Sequence, residues 1–519
     1  MTERFKLAYI GAGSFRFSIG FFRNIVNAKK LLPMEVALCD VDEHSLDIMH
    51  KILVRMVEKA SRKKRYGSGE IIVTKSTDRR KVLENASFVY KSISVGMQES
   101  EWYDIYVPLK FGIPQNTGDT LGPGGLFRSF RTNHVAAGIA RDMAELCPKA
   151  PLLNYTNPQG SITMAARTAA PRVQFIGLCH ELFGGGAVLW AFLAGKGKFV
   201  RPFKTLINNL EYAGINHFAW ITRFEVNGKD YYPALRKKAK ALGKSTRFLT
   251  LRWLGHGFNF HLLDRYGWFP YPGSRHLAEF MTDYYNYFNY EIQSPFWNFP
   301  VVRDVAALDR ERRSRYATFQ RMANGDVGVP GPRAIGERAM EMTLDWREDH
   351  PAHRPHVVNL PNMHTGYPKI VPELPDDCIV EVPGFFKDGV IMPVKTIHLP
   401  EEIATLVRPH AKQMRCTVDA ALGNDLGLCV KAMLHDPMAN WIEDDDKLEY
   451  LTKLMLFYQK RWMPPAWAEW IPTEDELKTS KWWVSPKDLA KEGGAYKKAM
   501  FLPDERLKAK AFFWPTSRS

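Results

Sequence analysis

FKLAYIGAGSF, residues 5–15, is the stretch that decides the fold. A short, mostly apolar run ends in Gly11 and Gly13, and an apolar-periodic helix follows over residues 19–28. Glycines placed after a strand allow a tight turn. They also bring backbone N–H groups close to a pyrophosphate at the helix N-terminus. The second strand, residues 35–39 (EVALC), ends at Asp40, 27 residues after Gly13. A carboxylate there accepts hydrogen bonds from ribose hydroxyls and favours NAD over its phosphorylated relative. Gly11, Gly13, Ser14, Phe15 and Asp40 are therefore the candidate cofactor residues. Arg16 stands where the third glycine of the fingerprint belongs, and a glycine turn without a ligand is the alternative reading.

Working outward, the same alternation continues. An amphipathic helix spans residues 43–61, with strands at 70–74 (EIIVT) and 87–92 (SFVYKS) and a helix near 80–84 between them. Two more apolar runs, 151–155 (PLLNY) and 173–178 (VQFIGL), end in polar residues. The pattern predicts an α/β fold: a Rossmann-type parallel sheet with helices on both faces and ligands at the carboxyl ends of its strands. From about residue 200 the pattern changes to longer polar helices and aromatics. A strand-turn-strand with a DG turn follows at 376–400, then helices over 401–460. Six tryptophans fall between 462 and 514. The expected division is 1–200 NAD-binding domain, 201–460 second α/β substrate lobe and 461–519 Trp-rich extension.

Composition narrows the classes. The chain has 519 residues, 45% of them hydrophobic and 24% charged, as globular proteins do. No run of ~18 apolar residues predicts a membrane span, and the N-terminus lacks a signal-peptide core. Six cysteines (39, 147, 179, 378, 416, 429) lie without paired spacing. That favours a reduced, cytoplasmic setting over a disulfide scaffold or zinc ribbon. With 71 basic and 56 acidic residues the net charge is +15. The basic clusters at 62–65, 79–81, 236–240 and 310–315 are short and sit in helical segments. They read as solvated faces, with no nucleic acid implied.

Three further segments carry chemistry. Residues 117–132 (TGDTLGPGGLFRSFRT) form a glycine-rich loop with Asp119, Arg128 and Arg131. Residues 153–160 (LNYTNPQG) bring Asn154 and Asn157 to a strand end, and residues 177–181 (GLCHE) bring Cys179 and His180 to another. His217 follows in GINHFAW, 214–220. A Cys179–His217 pair leaves coordination positions for substrate oxygens, as a catalytic metal needs. A packed cysteine is the plainer alternative.

In order, GAGS, CDVD, DTLGPGGLFRSFRT, LNYTNPQG, GLCHE and GINHFAW resemble glycoside hydrolase family 4, whose glycosidases use NAD and a divalent metal, usually Mn2+. The likeness continues at YGWFPYPGSRHLAEF (266–280), PDDCIVEVPG (375–384) and VDAALGNDLGLCVKAMLHDP (418–437), covering roughly residues 5–455. Within the family it is most similar to the α-galactosidase and α-galacturonidase branch. The resemblance implies hydrolysis by transient oxidation at sugar C3, loss of the C2 proton, elimination, water addition and return of hydride. It implies Cys179 and His217 as metal ligands and Asn157, Asp119 and Arg128 as substrate residues. It also implies His180 as the acid on the leaving oxygen.

Two departures stand out. Glu181 replaces a small residue after the Cys-His pair. Gly273 occupies the position aligned with the family's C2 base, which leaves Tyr271 as the nearest base candidate and His276 as the next. Arg275 and His276 are counted as substrate-binding, and a cationic Arg275 favours an acidic sugar. The implied partners are a small glycoside and further copies of the chain as a dimer or tetramer, with no membrane. A simple NAD-dependent sugar or hydroxy-acid dehydrogenase that releases NADH is the alternative.

Overall fold

The computed structural model describes residues 4–62, 70–194, 210–242, 256–282, 302–332, 338–348, 355–423 and 425–492. Strands β1 (Phe5–Ile10), β2 (Met34–Cys39), β3 (Ile71–Ser76), β4 (Phe88–Lys91), β5 (Leu152–Asn154) and β6 (Phe175–Leu178) pair in parallel, in the order β3-β2-β1-β4-β5-β6. That order is the dinucleotide-binding arrangement, with its crevice between β1 and β4. The inner strands are buried on both faces, as parallel sheets covered by helices require. Successive residues of β1 enter different cores: Leu7 and Tyr9 join Phe21, Phe22 and Ile52 on one face, Ala8 and Ile10 join Val82, Ile139 and Ile162 on the other.

A second sheet contains β7 (Leu210–Ile215), β8 (Phe218–Val226), the short β9 (Lys229–Asp230) and β10 (Phe269–Pro270). The chain then returns to the first sheet through β11 (His356–Pro361), β12 (Ile379–Lys387) and β13 (Val390–Pro393). β11 joins β6 antiparallel, which makes nine strands. The expected division at residue 200 therefore does not separate the sheets. The hairpin foreseen at 376–400 turns at Asp388 and Gly389, both at positive φ (51° and 74°), as the DG pair demands.

Residues 122–132 differ from the loop expected there. They open a 25-residue helix, Gly122–Leu146, with Pro123 in its first turn. Proline is tolerated at that place because its missing N–H would have no intrahelical partner. The carboxyl-terminal extension packs as follows. Trp467 is fully buried against Phe130, Trp482 lies on Tyr450 and Trp483 on Phe457. Trp514 lies outside the described residues. So do Lys63, Lys64 and Arg65 of the first basic cluster. The other clusters are largely paired: Arg79 and Arg80 with Asp142, Arg312 and Arg313 with Asp309.

Candidate active site

The nucleotide turn is built as its residues suggest. Gly11 has φ +87°, and a Cβ there would lie 2.1 Å from the Ser92 carbonyl oxygen. A Cβ on Gly13 would lie 2.7 Å from Asp40 Oδ2. The Gly13 N–H donates to that oxygen at 2.8 Å, and the Asp42 N–H donates to Oδ1 at 3.0 Å. This leaves a side-chain-free shelf beside a half-buried carboxylate, which fits a dinucleotide. Ser14 lies on the same turn, its Oγ accepting from the Phe17 N–H. Phe15 contributes less than expected: its ring is buried, stacked on Phe319 and edge-on to Tyr316, so only its backbone faces the turn.

The second half of the site gathers beyond the ends of β5 and β6. Cys179 Sγ lies 3.4 Å from His217 Nδ1. Ligand atoms of Asp119, His217 and His276 lie within 4.8 Å of one another. The two imidazoles stack with centroids 4.1 Å apart. His217 Nε2 and His276 Nδ1 are buried without a hydrogen-bond partner, an uncommon state for native polar atoms. Two imidazoles with uncommitted nitrogens and a carboxylate converge, with the Cys179 thiol beside His217, and this donor set fits a borderline dication such as Mn2+.

Electrostatics support the same reading. Burial raises the Asp119 carboxyl, but His276, His217, Arg128 and Arg303 override it and hold it well below the carboxylate range. Burial, then the neighbouring His276, lowers His217 to about 3, which keeps it a neutral donor. Burial and the Glu381 and Glu181 carboxylates push the Cys179 thiol well above its ordinary value. A thiolate there calls for a cation beside it.

Neighbours fix these groups. Asn157 Nδ2 donates to Asp119 Oδ2 at 3.0 Å, and Arg128 Nε donates to the Asn157 carbonyl at 3.2 Å. The buried Glu279 carboxylate accepts the N–H groups of Thr117 and Gly118, which shapes the segment just before Asp119. Arg303 Nη1 donates to the Thr117 carbonyl at 2.9 Å. Glu279 and Arg303 escape a sequence reading because they lie far along the chain from the residues they hold.

His180 is exposed, with Nε2 3.8 Å from Glu181 Oε1. Glu181 Oε2 accepts the Gly273 N–H at 2.7 Å. A Cβ on Gly273 would lie 3.3 Å from that same oxygen. The carboxylate of Glu181 thus occupies the space that a side chain at 273 would enter. Burial raises Glu181, but His276, His217 and the Gly273 N–H lower it to about 2, so it is ionised.

Tyr271 is fully buried, and its hydroxyl donates to Glu381. Arg131, which read as a candidate anion contact, is buried in an ion pair with Asp104, with Gln459 accepting from its Nη1 at 2.8 Å. The backbone N–H groups of two glycines after Asp119 are already engaged. The Gly122 N–H goes to Asp436 and the Gly124 N–H to Gln115. From sequence, Arg275 is counted as substrate-binding. It is exposed, near Asp119 and Arg303, and has no hydrogen bond or ion pair among the described residues.

Fold and pocket together define a Rossmann-type protein with a dication-competent cluster beside its nucleotide crevice. The chain belongs to family 4 of the glycosyl hydrolases: the family 4 glycosyl hydrolase model matches residues 6–193, and the model of the family's C-terminal domain matches residues 212–439. An α-galactosidase of Rhizobium meliloti is 29% identical over 472 residues, 89% of each chain. An α-galacturonidase of Bacillus subtilis is 28% identical over 449 residues, 84% of this chain and 94% of the relative. The crystal structure of a Bacillus subtilis protein named as a glucosidase superposes with TM-score 0.75 at 27% identity, covering 87% of this chain and all of the other. A 6-phospho-α-glucosidase from gut microorganisms, solved with NAD and Mn2+, shares the fold at TM-score 0.68 and 17% identity, covering 89% and 99%.

Proposed function

We propose that this protein is an NAD- and Mn2+-dependent α-glycosidase acting on a sugar that carries a carboxylate, an α-galacturonide in preference to an α-galactoside. The observation that carries the choice is Arg275, an unpaired guanidinium beside Asp119 in the pocket. Guanidinium groups pair well with carboxylates, and Arg303 nearby adds to the positive field. Relatives named as both α-galactosidase and α-galacturonidase support the sugar class.

In this reading Gly11, Gly13, Ser14 and Asp40 hold the dinucleotide. Cys179, His217, Asp119 and His276 hold the cation. When bound, NAD supplies a reversible hydride acceptor and the dication polarises adjacent sugar oxygens. His180, exposed beside Glu181, protonates the leaving oxygen. Glu181, ionised and oriented by the Gly273 N–H, receives the C2 proton in place of Tyr271. Asn157 and Arg128 orient the sugar hydroxyls around Asp119.

The test uses the full chain stripped of dinucleotide and metal, then restored with each alone and with both. Release of 4-nitrophenol from its α-galacturonide is expected only with both, with no accumulation of NADH and with loss of turnover in Cys179→Ala. Activity that survives stripping and Cys179→Ala overturns the reading. Stoichiometric NADH without hydrolysis replaces it with a dehydrogenase.

A further inference from the structure

Behind the Cys179–His217 pair lies an acidic side chain that the proposed chemistry does not use. Glu381, the third residue of β12, is fully buried. Its Oε2 accepts from Asn216 Nδ2 at 2.8 Å and from Asn359 Nδ2 at 2.9 Å, and its Oε1 accepts from the Tyr271 hydroxyl. Asn216, Asn359 and Tyr271 are themselves almost wholly buried. All three donors are neutral, and among the described residues no Lys or Arg pairs with this carboxylate. A buried carboxylate without a cation is costly, so its retention needs a compensating charge from elsewhere.

Geometry identifies where that charge belongs. Asn216 Nδ2, which donates to Glu381, also lies 2.9 Å from His217 Nδ1. Cys179 is near enough for Glu381 to act on its thiol. Asn359 pairs in register with both Glu381 on β12 and Gly177 on β6, two residues before Cys179. The carboxylate is thus tied by one amide to the segment carrying His217 and by another to the strand carrying Cys179. Carboxylates and amides behind metal ligands set ring orientation and ligand basicity, and their loss typically lowers metal affinity about 10- to 100-fold.

We propose that Glu381 is a positioning residue for the divalent cation: through Asn216 it sets the orientation of His217, and its negative charge is balanced by the cation held at Cys179, His217, Asp119 and His276. This rests on the metal reading given under Proposed function. Tyr271 then serves as a donor to Glu381 and has no direct part in proton transfer.

Two observables separate this from a merely structural role. Mn2+ binding to the metal-free full chain is titrated by the electron paramagnetic resonance of free Mn2+, and the melting temperature of the metal-free chain is measured in parallel. Glu381→Gln preserves shape and removes charge. Its Mn2+ Kd is expected to rise at least tenfold, while metal-free melting stays equal or moves upward, because an uncompensated buried charge is gone. Tyr271→Phe keeps the charge and removes one donor, and its Kd is expected to stay within about threefold of wild type. An unchanged Kd in Glu381→Gln overturns the proposal. So does a lowered melting temperature of the metal-free variant, or an equal loss of Mn2+ affinity in Tyr271→Phe. Should wild type bind Mn2+ no better than Cys179→Ala, the metal reading itself fails and takes this proposal with it.

Discussion

At the scale of single residues, the pocket brings together groups without a hydrogen-bond partner among the described residues: Arg275, His217 Nε2 and His276 Nδ1. Arg275 is the clearest case, because most surface arginines described here have a carboxylate or carbonyl partner, as Arg408 does with Glu401. Replacing Arg275 with Met removes no hydrogen bond or ion pair among the described residues. Its expected effect is confined to catalysis: kcat/KM for an aryl α-galacturonide falls roughly 10- to 100-fold, the worth of one charged hydrogen bond, while that for an aryl α-galactoside changes little. Equal losses on both sugars would show that Arg275 does not read a carboxylate. Several site residues were legible from sequence because local order announces them. Gly11 and Gly13 follow a strand, Asp40 ends the next, and Cys179 ends a third. The grouping of Asp119 with His276 was not legible, since they come from distant segments that only the fold brings together. Glu381 left one faint signal, an acid flanked by apolar residues in CIVEV, where strand alternation points it inward. Tyr271, the nearest base candidate beside Gly273 at the family's base position, has its hydroxyl on Glu381, a contact that the local sequence does not announce.

Among the elements, the carboxyl ends of β4, β5 and β6 are knit by a second buried ion. Lys91, the last residue of β4, is fully buried and donates to Asn154 Oδ1 at 2.8 Å. Asn154 in turn meets Gln159, whose Nε2 donates to the Leu178 carbonyl at 2.7 Å, directly before Cys179. Burial lowers Lys91 from 10.5 to about 7. Between those two values the unfolded chain holds a proton that the folded chain has released, so stability rises with pH across that window and the burial penalty is full below about pH 7. Lys91→Met is expected to melt above wild type at pH 6.5, and the gap is expected to narrow as pH rises toward 9.5. A gap independent of pH would show that Lys91 is not deprotonated in the fold. The strands and the early helices matched their sequence patterns to within a residue or two. The helix Gly122–Leu146 did not, because GPGG reads as a loop. Helix is retained there by side chains from outside the segment, Gln115 and Asp436, which cap its first turn.

The whole molecule is a single interlocked design rather than two lobes in sequence. Strands from residues 356–393 complete the sheet that begins at Phe5, and β12 carries Glu381 across to the back of the Cys179–His217 pair. The nucleotide turn lies at the end of β1 and the dication cluster beyond β5 and β6, so one sheet edge presents both to one substrate. In the proposed reading hydrolysis takes a redox route, in which the proton on C2 must leave and be replaced. Its most direct test is turnover of an aryl α-galacturonide by the NAD- and Mn2+-loaded protein in D2O, with the released sugar read by NMR. The structure predicts solvent deuterium at C2 of the product with no net NADH. Product that keeps protium at C2 would contradict it, since direct displacement at C1 never opens that bond.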